Sequence, residues 1–296
     1  MASYKNVILI GASSDIGTAI LNTFINESSF NTTVLTREGS SSTFPAGVKV
    51  IRANYDSADA LKDAFKGQDV AVSLVGGTGF GEQNKLIDAA IAAGVQRFVP
   101  SEFGSDTADA RVRELVPILE GKFATANYLK SKESVISWTI LANGPFFEWC
   151  FKVGYYGFNL ADKTVTLYDD GTAIFSTTNL HTVGLGLVKA LEKPEETKNQ
   201  YVYISSFDTS QNELLALTEK ITGSKWTVKH VAVKDHVEQG RAKLQKGDFS
   251  GIVELLQATS FSKDQLGRFD QAPAWNEKLG LPKDDLEKSL RGVFEG

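Results

Sequence analysis

Two glycines near the start of the chain have the spacing of a turn that binds phosphate. Gly11 follows four consecutive apolar residues, 7–10, and Gly17 opens a stretch with apolar residues at helical spacing. A strand, a glycine turn and a helix in this order leave N–H groups at the helix start, where the helix dipole favours a pyrophosphate. The usual GxGxxG pattern is incomplete, because Ser14 stands near the place of a further glycine. The segment still predicts a dinucleotide site, with an ordinary turn of small residues as the alternative.

The end of the second predicted strand bears on which dinucleotide is bound. Arg37 lies twenty residues after Gly17, and no acidic residue occupies the strand end. An acidic side chain at this place holds the ribose 2′-hydroxyl of NAD, whereas a nearby arginine accommodates the 2′-phosphate of NADP. The pattern therefore predicts NADP(H), although Glu38 follows directly and a solvated arginine is the alternative. Residues 54–56, at the end of the third strand, predict either a contact of Asn54 with the adenine or a helix cap formed by Asp56 or Ser57.

Alternating strand and helix patterns in the first half of the chain must position these residues. Their short connections predict an α/β fold, a Rossmann-like, doubly wound parallel sheet whose ligands bind beyond the carboxyl ends of the strands. We expect residues 1–145 to form an NADP-binding domain, with residues 172–206 returning to it. Residues 146–296 are expected to form mainly a smaller, interleaved α+β domain on the substrate side. Within it, residues 163–178 predict a β-hairpin around an Asp-Asp-Gly turn.

Composition argues against several classes of partner. The 296 residues include 31 basic and 36 acidic ones, and this mild acidity argues against a nucleic-acid or anionic-membrane partner. The single cysteine, Cys150, excludes an intramolecular disulfide, and the three histidines lack metal-ligand spacing, so we expect no metal site. No apolar run is long enough to span a bilayer, and the first strand begins almost at once. We therefore expect no signal peptide and a cytoplasmic monomer or homodimer.

The fifth predicted strand ends in the most specific motif of the chain, Pro-Ser-Glu-Phe-Gly at 100–104, with Lys122 downstream. This combination resembles the isoflavone reductase and phenylcoumaran benzylic ether reductase family of NmrA-like atypical short-chain dehydrogenases, in its fungal form. The resemblance covers nearly the whole chain. It implies an NADPH-dependent reductase of secondary metabolism, which transfers hydride to a carbonyl, an enone or a quinone methide of an aromatic or polyketide-like small molecule. Further matching segments lie at 11–17, 36–37, 83–87 and 170–171.

Two other functions are open on the same scaffold. NmrA-like proteins include redox sensors that bind NADP(H) without turnover, and the fold also suits a cofactor-assisted isomerase or cyclase. The retained lysine favours the reductase, because a sensor does not need it. The absence of the usual tyrosine of short-chain dehydrogenases favours the sensor.

Two lysines compete for the role of acid/base or positioning residue. Tyr128 and Lys132 match the YxxxK pair of short-chain dehydrogenases, but the next strand begins five residues after Lys132. The pair should therefore lie at the far end of its helix, away from the cofactor. Lys122 lies fifteen residues before that strand, which is the spacing that the resemblance implies for the family lysine, and Ile118 stands where the tyrosine would lie. The resemblance thus implies Lys122 as the catalytic residue, with a solvated helix position as the alternative.

Aromatic residues crowd the segment after the sixth strand. Seven of the thirteen residues at 146–158 are aromatic, which suits the wall of a pocket for a flat, apolar substrate, with core packing as the alternative for each. The residues predicted to contact the substrate are Phe103, Phe146, Phe147, Trp149 and Tyr155. The residues predicted to bind the cofactor are Gly11, Ser13, Ser14, Asp15, Ile16, Gly17, Arg37, Asn54, Val75, Gly76, Gly77, Ser101, Glu102, Phe103, Lys122, Gly144, Pro145 and Phe146.

Overall fold

Short apolar runs separated by polar turns form the strands of a central sheet. The computed structural model describes residues 4–295. The first half contains, in chain order, β1 (Asn6–Ile10), α1 (Asp15–Glu27), β2 (Asn31–Arg37), β3 (Lys49–Ala53), α2 (Ala58–Phe65), β4 (Val70–Ser73), a 3-10 turn (Gly77–Glu82), α3 (Gln83–Ala92), β5 (Arg97–Val99), α4 (Ala110–Leu115), α5 (Leu119–Ser131) and β6 (Ser137–Ala142).

The second half has shorter strands and a larger share of helix. It contains, in chain order, α6 (Phe147–Lys152), β7 (Phe158–Asn159), β8 (Thr164–Tyr168), β9 (Phe175–Thr177), α7 (Leu180–Glu192), β10 (Gln200–Tyr203), β11 (Phe207–Thr209), α8 (Gln211–Thr222), β12 (Thr227–Val231), α9 (Val233–Gln245), α10 (Gly251–Phe261), α11 (Ala272–Leu279) and α12 (Leu286–Glu295). Among residues 4–295, none of these helices is both long and apolar enough to cross a bilayer.

Seven strands form one parallel sheet in the order β10-β6-β5-β4-β1-β2-β3. Helices cover both faces, which confirms the predicted doubly wound α/β fold. β10 joins the sheet beside β6, with Gln200 opposite Thr139 and Tyr203 opposite Ala142. The chain therefore re-enters the central sheet after leaving it at the end of β6.

Alternate residues of β1 show why this strand lies at the centre of the sheet. Val7 and Leu9 pack against the side covered by α1 and α7, whereas Ile8 and Ile10 pack against the side covered by α2, α3 and α5. All four side chains are buried, as expected for a parallel strand with apolar residues on both faces.

The predicted hairpin over residues 163–178 is wrong. β8 pairs with β12 in parallel and with β7 in antiparallel orientation, while β9 pairs with β11. Asp169 and Gly171 do reverse the chain with positive φ angles. However, the N–H of Asp169 donates to the carbonyl of Val231, and its carboxylate accepts from the N–H of Val233. These bonds hold the end of β8 against β12, so β9 pairs elsewhere.

The loops that follow β1, β4, β5 and β6 meet at one edge of the sheet. The N–H of Leu74 donates to the carbonyl of Ile10, and a Cβ added to Gly11 would lie 2.7 Å from the Leu74 carbonyl oxygen. The N–H of Gly144 donates to the carbonyl of Gly104 over 2.9 Å. These contacts join loops that are distant in sequence into one surface at the carboxyl edge.

Substitution of Gly17 by alanine is expected to lower the free energy of unfolding by about 1–3 kcal/mol, because the added methyl group overpacks a closed site. Its Cβ would lie 2.5 Å from the Gly11 carbonyl oxygen and 2.8 Å from the Ala12 Cα, both of which are backbone atoms. Urea unfolding of the variant measures the change.

Gly121 on α5 provides a matched control, because it is also helical and a Cβ there would meet no atom within 4 Å. Gly121→Ala should be neutral or stabilise by up to about 1 kcal/mol. Equal stabilities of the Gly17 and Gly121 variants would contradict the close approach of α1 to the turn.

Candidate active site

The glycine turn after β1 has the geometry that a phosphate site needs. Gly11 has φ +86°, and the space around Gly11 and Gly17 is too small for a Cβ. Ser14 has φ −77°, which any residue adopts, and its Oγ accepts a hydrogen bond from the N–H of Gly17 over 3.0 Å. A further glycine is therefore unnecessary at position 14, because the serine caps α1. Ser13 and Asp15 are exposed beside it, while Ile16 is half-buried.

Two arginines lie near the end of β2 and differ in how they are engaged. The Arg52 guanidinium donates to the carbonyls of Ser40 and Ser42 over 2.7 and 3.0 Å, so it holds the loop that follows β2. Arg37 is exposed, and among residues 4–295 its guanidinium makes no hydrogen bond or ion pair. Arg37 is thus the arginine whose charge is available at this edge.

The end of β3 leads through a tight turn into the cap of α2. Asn54 is exposed, and its Oδ1 accepts from the N–H of Asp56 over 2.9 Å in a local turn. Ser57 caps α2 by accepting from the N–H of Ala60. The cap that was one of the two sequence interpretations is present, and Asn54 helps to form the turn that leads into it.

The segment after β4 contacts the motif after β5 through a serine. Gly76 and Gly77 are exposed and have open space where a Cβ would lie. The Val75 carbonyl accepts from the Ser101 hydroxyl over 2.8 Å, and the Ser101 N–H donates to Gln83 Oε1 over 2.7 Å. Gln83 is fully buried at the start of α3. The sequence analysis named it only as part of a matching segment, and a polar residue at the first position of an apolar helix face was the signal for its structural role.

Lys122 lies on the inner face of α5. It is 8% exposed and shares that face with Thr125, Ala126 and Leu129. Its Nζ donates to the backbone carbonyl of Glu102 over 2.6 Å. Burial lowers the pKa of Lys122, and the negative charge of the Glu102 carboxylate opposes that shift. The lysine is therefore a desolvated amine beside the motif after β5, rather than a solvated helix residue.

Glu102 contributes through its backbone as well as through its side chain. The side chain is 2% exposed, and Oε2 accepts from the Thr107 hydroxyl over 2.6 Å. Burial raises the pKa of the Glu102 carboxyl, while the nearby Lys122 ammonium opposes the shift. Each of the two buried groups is thus stabilised in its charged form by the other.

The alternative pair, Tyr128 and Lys132, lies near the other end of α5. The Tyr128 hydroxyl donates to the Asp88 carboxylate, which raises the pKa of Tyr128, and Lys132 Nζ lies 5.0 Å from the Tyr128 ring centre. Ile118, at the position where short-chain dehydrogenases carry the tyrosine, is 42% exposed. The YxxxK pattern is therefore part of the α3–α5 surface.

Two of the predicted aromatic residues pack on the side of the sheet that α1 and α7 cover. Phe103 and Phe146 are half-buried and pack against the apolar cluster that contains Ala12 and Leu74. The chain reaches Phe146 through Gly144, whose φ is +62° and whose Cβ would lie 2.3 Å from a backbone oxygen, and through the half-buried Pro145. This tight turn brings the start of α6 to the carboxyl edge of the sheet.

Phe147 was predicted to line the wall of the substrate pocket, but it lies in the core. Phe147 is 0% exposed and packs against Phe151, Tyr156 and Phe207 in an aromatic core. It cannot contact a substrate there, and the prediction for this residue is wrong because its helix turns it inward.

Tyr155 and Trp149 are half-buried against the same aromatic core. The Tyr155 hydroxyl donates to the Leu256 carbonyl over 2.8 Å and lies 3.1 Å from the Ser260 hydroxyl. Burial raises the pKa of Tyr155. The Tyr155 hydroxyl therefore joins α10 to the segment after α6.

Polar side chains elsewhere form separate small networks. The three histidines contact different partners: His181 pairs with Glu27, His230 with the Asp169 carbonyl, and His236 with Gln257. In the described part of the chain, no group of three or more His, Cys, Asp or Glu side chains is arranged to hold a metal ion.

Comparison with known proteins gives one family and several similar folds. The chain matches the NmrA-like family over residues 3–274. The oxidoreductase aprR of Aspergillus flavus is 33% identical over 294 residues, which cover 98% of this chain and 99% of that protein. A crystal structure of isoflavone reductase has a TM-score of 0.78 at 22% identity and covers 99% of this chain and 100% of that one. The structure of AtPrR2 with NADP+ and (+)pinoresinol has a TM-score of 0.80 at 21% identity, with the same coverage. The two structures share the fold of this chain.

Replacement of Lys122 by methionine is expected to remove a pH dependence of stability, so that the free energy of unfolding of the variant relative to wild type is higher at pH 7 than at pH 10. The lowered pKa of Lys122 means that the folded protein disfavours the charged amine, whereas methionine fills a similar volume without a charge. Between the folded pKa and the ordinary value of 10.5, the unfolded chain binds the additional proton, so wild-type stability rises with pH there. The free energy of unfolding of the variant should therefore fall relative to that of wild type as the pH approaches about 10.

Urea unfolding at both pH values measures this effect. Lys62→Met, at an exposed position of α2, is the control and should change stability little at either pH. A Lys122→Met protein that is less stable than wild type at pH 7 would show that the contacts of the ammonium outweigh its desolvation.

Proposed function

The chain belongs to the NmrA-like family, and from this premise we propose that it is a reductase that transfers hydride from NADPH to a flat aromatic or polyketide-like small molecule. The family match confirms the resemblance inferred from the sequence, and the similarity to a fungal relative agrees with its fungal form. Because a relative named as an oxidoreductase is similar along nearly the full length of both chains, this protein is an oxidoreductase.

The buried position of Lys122 is the observation that carries the proposal. An amine that is desolvated and held on α5 against the Glu102 carbonyl, in the loop after β5, is suited to act on a bound molecule. Burial lowers the pKa of Lys122 towards neutral pH, and a general acid works best when its pKa lies near the pH of the reaction. Lys122 is therefore proposed to donate a proton to, or stabilise negative charge on, an oxygen atom of the substrate.

The residues of the carboxyl edge fit NADPH. Gly11 and Gly17 leave a turn whose backbone a phosphate can approach closely, and the start of α1 offers N–H groups and a favourable dipole. Arg37 offers an exposed guanidinium for a 2′-phosphate, since Arg52 is engaged with its own loop. NADPH, when bound, supplies the hydride. A solved structure with the same fold holds NADP+, which supports this choice of cofactor.

The substrate class is proposed from two aromatic side chains in the loops at the carboxyl edge. Phe103 and Phe146 are half-buried in the loops that follow β5 and β6, and their rings are proposed to stack on a planar molecule. Substrate orientation is proposed to come from these rings, and charge stabilisation from Lys122. The (+)pinoresinol in a structure of the same fold supports an aromatic substrate. The proposed reaction places hydride on an electron-poor carbon while the oxygen conjugated to it receives a proton.

Replacement of Lys122 by methionine should lower kcat by about two orders of magnitude or more, on the scale of general acid–base catalysis. The dissociation constant of NADPH should change little, because the glycine turn and Arg37 lie elsewhere along the edge. The assay follows NADPH oxidation with 9,10-phenanthrenequinone, a chalcone and pinoresinol as aromatic acceptors, and NADPH binding is measured by calorimetry.

Tyr128→Phe is the control for the competing lysine pair and should retain wild-type kcat. A large loss in that variant, or wild-type kcat in Lys122→Met, would contradict the assignment of Lys122. Tight NADPH binding without oxidation by any acceptor in the wild type would favour the sensor function.

Arg37→Ala should weaken NADPH binding far more than NADH binding, because only NADPH carries the 2′-phosphate that the guanidinium is proposed to contact. A charge-assisted contact of this kind corresponds to about 1.5–3 kcal/mol, or roughly a 10- to 100-fold increase in the NADPH dissociation constant. Calorimetric titration of both cofactors measures the ratio.

Arg52→Ala serves as the control, because its guanidinium holds the Ser40 and Ser42 carbonyls. That variant should affect both cofactors to a similar extent. Equal weakening of NADPH and NADH in Arg37→Ala would remove the proposed contact with the 2′-phosphate.

A further inference from the structure

We propose that Arg113 is a positioning residue, which holds Lys122 against the Glu102 carbonyl by joining the loop after β5 to the first turns of α5. This inference rests on the proposed role of Lys122 in the reaction. Arg113 lies on α4, between the loop and the lysine helix, and its side chain is 12% exposed.

On the loop side, the Arg113 guanidinium bonds to two consecutive backbone carbonyls. Its Nη1 donates to the Thr107 carbonyl over 2.6 Å and to the Ala108 carbonyl over 3.0 Å. These carbonyls lie only a few residues beyond Glu102, in the segment that leads from β5 to α4. The guanidinium therefore fixes the return path of the loop that accepts the Lys122 hydrogen bond.

On the helix side, the same guanidinium contacts one residue before Lys122 in the sequence and one residue after it. Its Nε lies 3.0 Å from Glu120 Oε1, and its central carbon lies 3.7 Å from the ring centre of Phe123. Glu120 precedes Lys122 by two residues and Phe123 follows it directly. An ion pair and a stacked ring together restrict the rotation and depth of this part of α5.

The contacts close into a circuit that begins and ends on α5. Lys122 donates to the Glu102 carbonyl, and the Glu102 carboxylate accepts from the Thr107 hydroxyl. The Thr107 carbonyl accepts from Arg113, and Arg113 pairs with Glu120 on α5. Displacement of one member therefore shifts the loop relative to the helix, which changes the position of the amine.

The fork of a guanidinium explains why arginine stands at this position. Arg113 uses Nε toward the helix and Nη1 toward the loop, while the flat face of the group covers the Phe123 ring. A lysine has a single charged nitrogen and cannot make these contacts together. The Glu120 side chain is 60% exposed, so the ion pair by itself contributes little. The connection rests on the combination of this pair with the two loop carbonyls and the Phe123 ring, which all contact the 12% exposed Arg113 side chain.

Arg111, two residues before Arg113 on α4, offers a matched comparison. Its guanidinium pairs with Asp109 in its own segment, and its side chain is 67% exposed. Arg111 is also an arginine of α4, but it makes no described contact with α5. A difference between the variants of Arg113 and Arg111 therefore reports on the connection to Lys122 rather than on the loss of an arginine from α4.

Several charged groups face this corner of the protein and bear on the state of the amine. Glu102 and Asp106 come from the loop, and burial raises the pKa of both. The positive charge of Lys130 on α5 opposes the raised pKa of Glu102, and Glu120 pairs with Arg113. Since burial lowers the pKa of Lys122, loosening of the loop should admit water and let that pKa rise.

The first experiment measures Lys122 directly, without a substrate. Wild type, Arg113→Met and Arg111→Met are treated with acetic anhydride over a range of pH, and acetylation of each lysine is read by mass spectrometry. The acetylation rate of Lys122 is divided by that of the exposed Lys62 in each protein. We expect this ratio to be at least about tenfold higher in Arg113→Met than in wild type, since local opening exposes the amine. Its apparent pKa should move upward. Arg111→Met should match wild type, and equal Lys122 labelling in the two variants would overturn the inference.

The second experiment measures kcat and cofactor binding. With 9,10-phenanthrenequinone as acceptor, Arg113→Met should lower kcat about 10- to 100-fold, while the NADPH dissociation constant stays within about twofold of wild type, because misplacement of a catalytic group slows the chemical step without affecting remote contacts. The alkaline limb of the kcat profile should shift to higher pH, which a simple loss of stability would not cause. A proportionate loss of NADPH binding with no shift of the limb would contradict the inference.

Two further variants keep the outcome interpretable. Glu120→Gln removes the ion pair but leaves the Arg113 side chain in place, so it tests the connection even if Arg113→Met fails to fold, and it should shift Lys122 labelling in the same direction. Arg113→Lys should restore part of kcat at most. If wild type oxidises NADPH with none of the acceptors, the proposed function fails, and if Lys122→Met retains wild-type kcat, the catalytic role of Lys122 fails. In either case the labelling comparison still decides whether Arg113 positions Lys122.

Discussion

The hydrogen bond from Lys122 to the Glu102 carbonyl is the contact on which the arrangement of the candidate site depends. A buried ammonium group is strongly disfavoured unless oxygen atoms accept hydrogen bonds from it. The loop after β5 supplies such an oxygen, and α5 must lie at a definite depth for the amine to reach it. The positions of loop and helix are therefore interdependent. The contacts of Thr107 and Arg113 reinforce this dependence, because they join the same two segments through different atoms.

The parallel sheet explains why this contact lies beside a cofactor surface. Parallel neighbours end at the same edge, so the loops after β1, β4, β5 and β6 meet although their sequences are far apart. The glycine turn supplies a close approach to backbone, the motif after β5 supplies the carbonyl for Lys122, and the turn at Gly144 brings Phe146 to the same place. The proposed reductase chemistry uses all three loops, while the helices behind them determine how closely the loops can approach.

The accuracy of the sequence analysis differed between the two halves of the chain for a physical reason. In the first half, continuous apolar strands and short connections leave few alternatives to a parallel sheet, and the fold was predicted correctly. In the second half, strands of two to five residues pair according to tertiary contacts, and the predicted hairpin was wrong because Asp169 bonds to the end of β12. The prediction that Phe147 contacts the substrate was also wrong, since a segment with many aromatic residues does not indicate which ring faces the core.

The sequence by itself determined the doubly wound sheet, the family and the glycine turn, because these depend on local periodicity and on motifs within single segments. Its spacing also favoured Lys122 over the pair at the end of α5, and the structure places that pair on the surface with Asp88. Only the tertiary structure decided the burial of Lys122, the engagement of Arg52 that leaves Arg37 exposed, and the roles of Gln83 and Arg113. These features depend on distances between segments that lie far apart in the chain or turn back on one another, and residue type and spacing do not specify such distances.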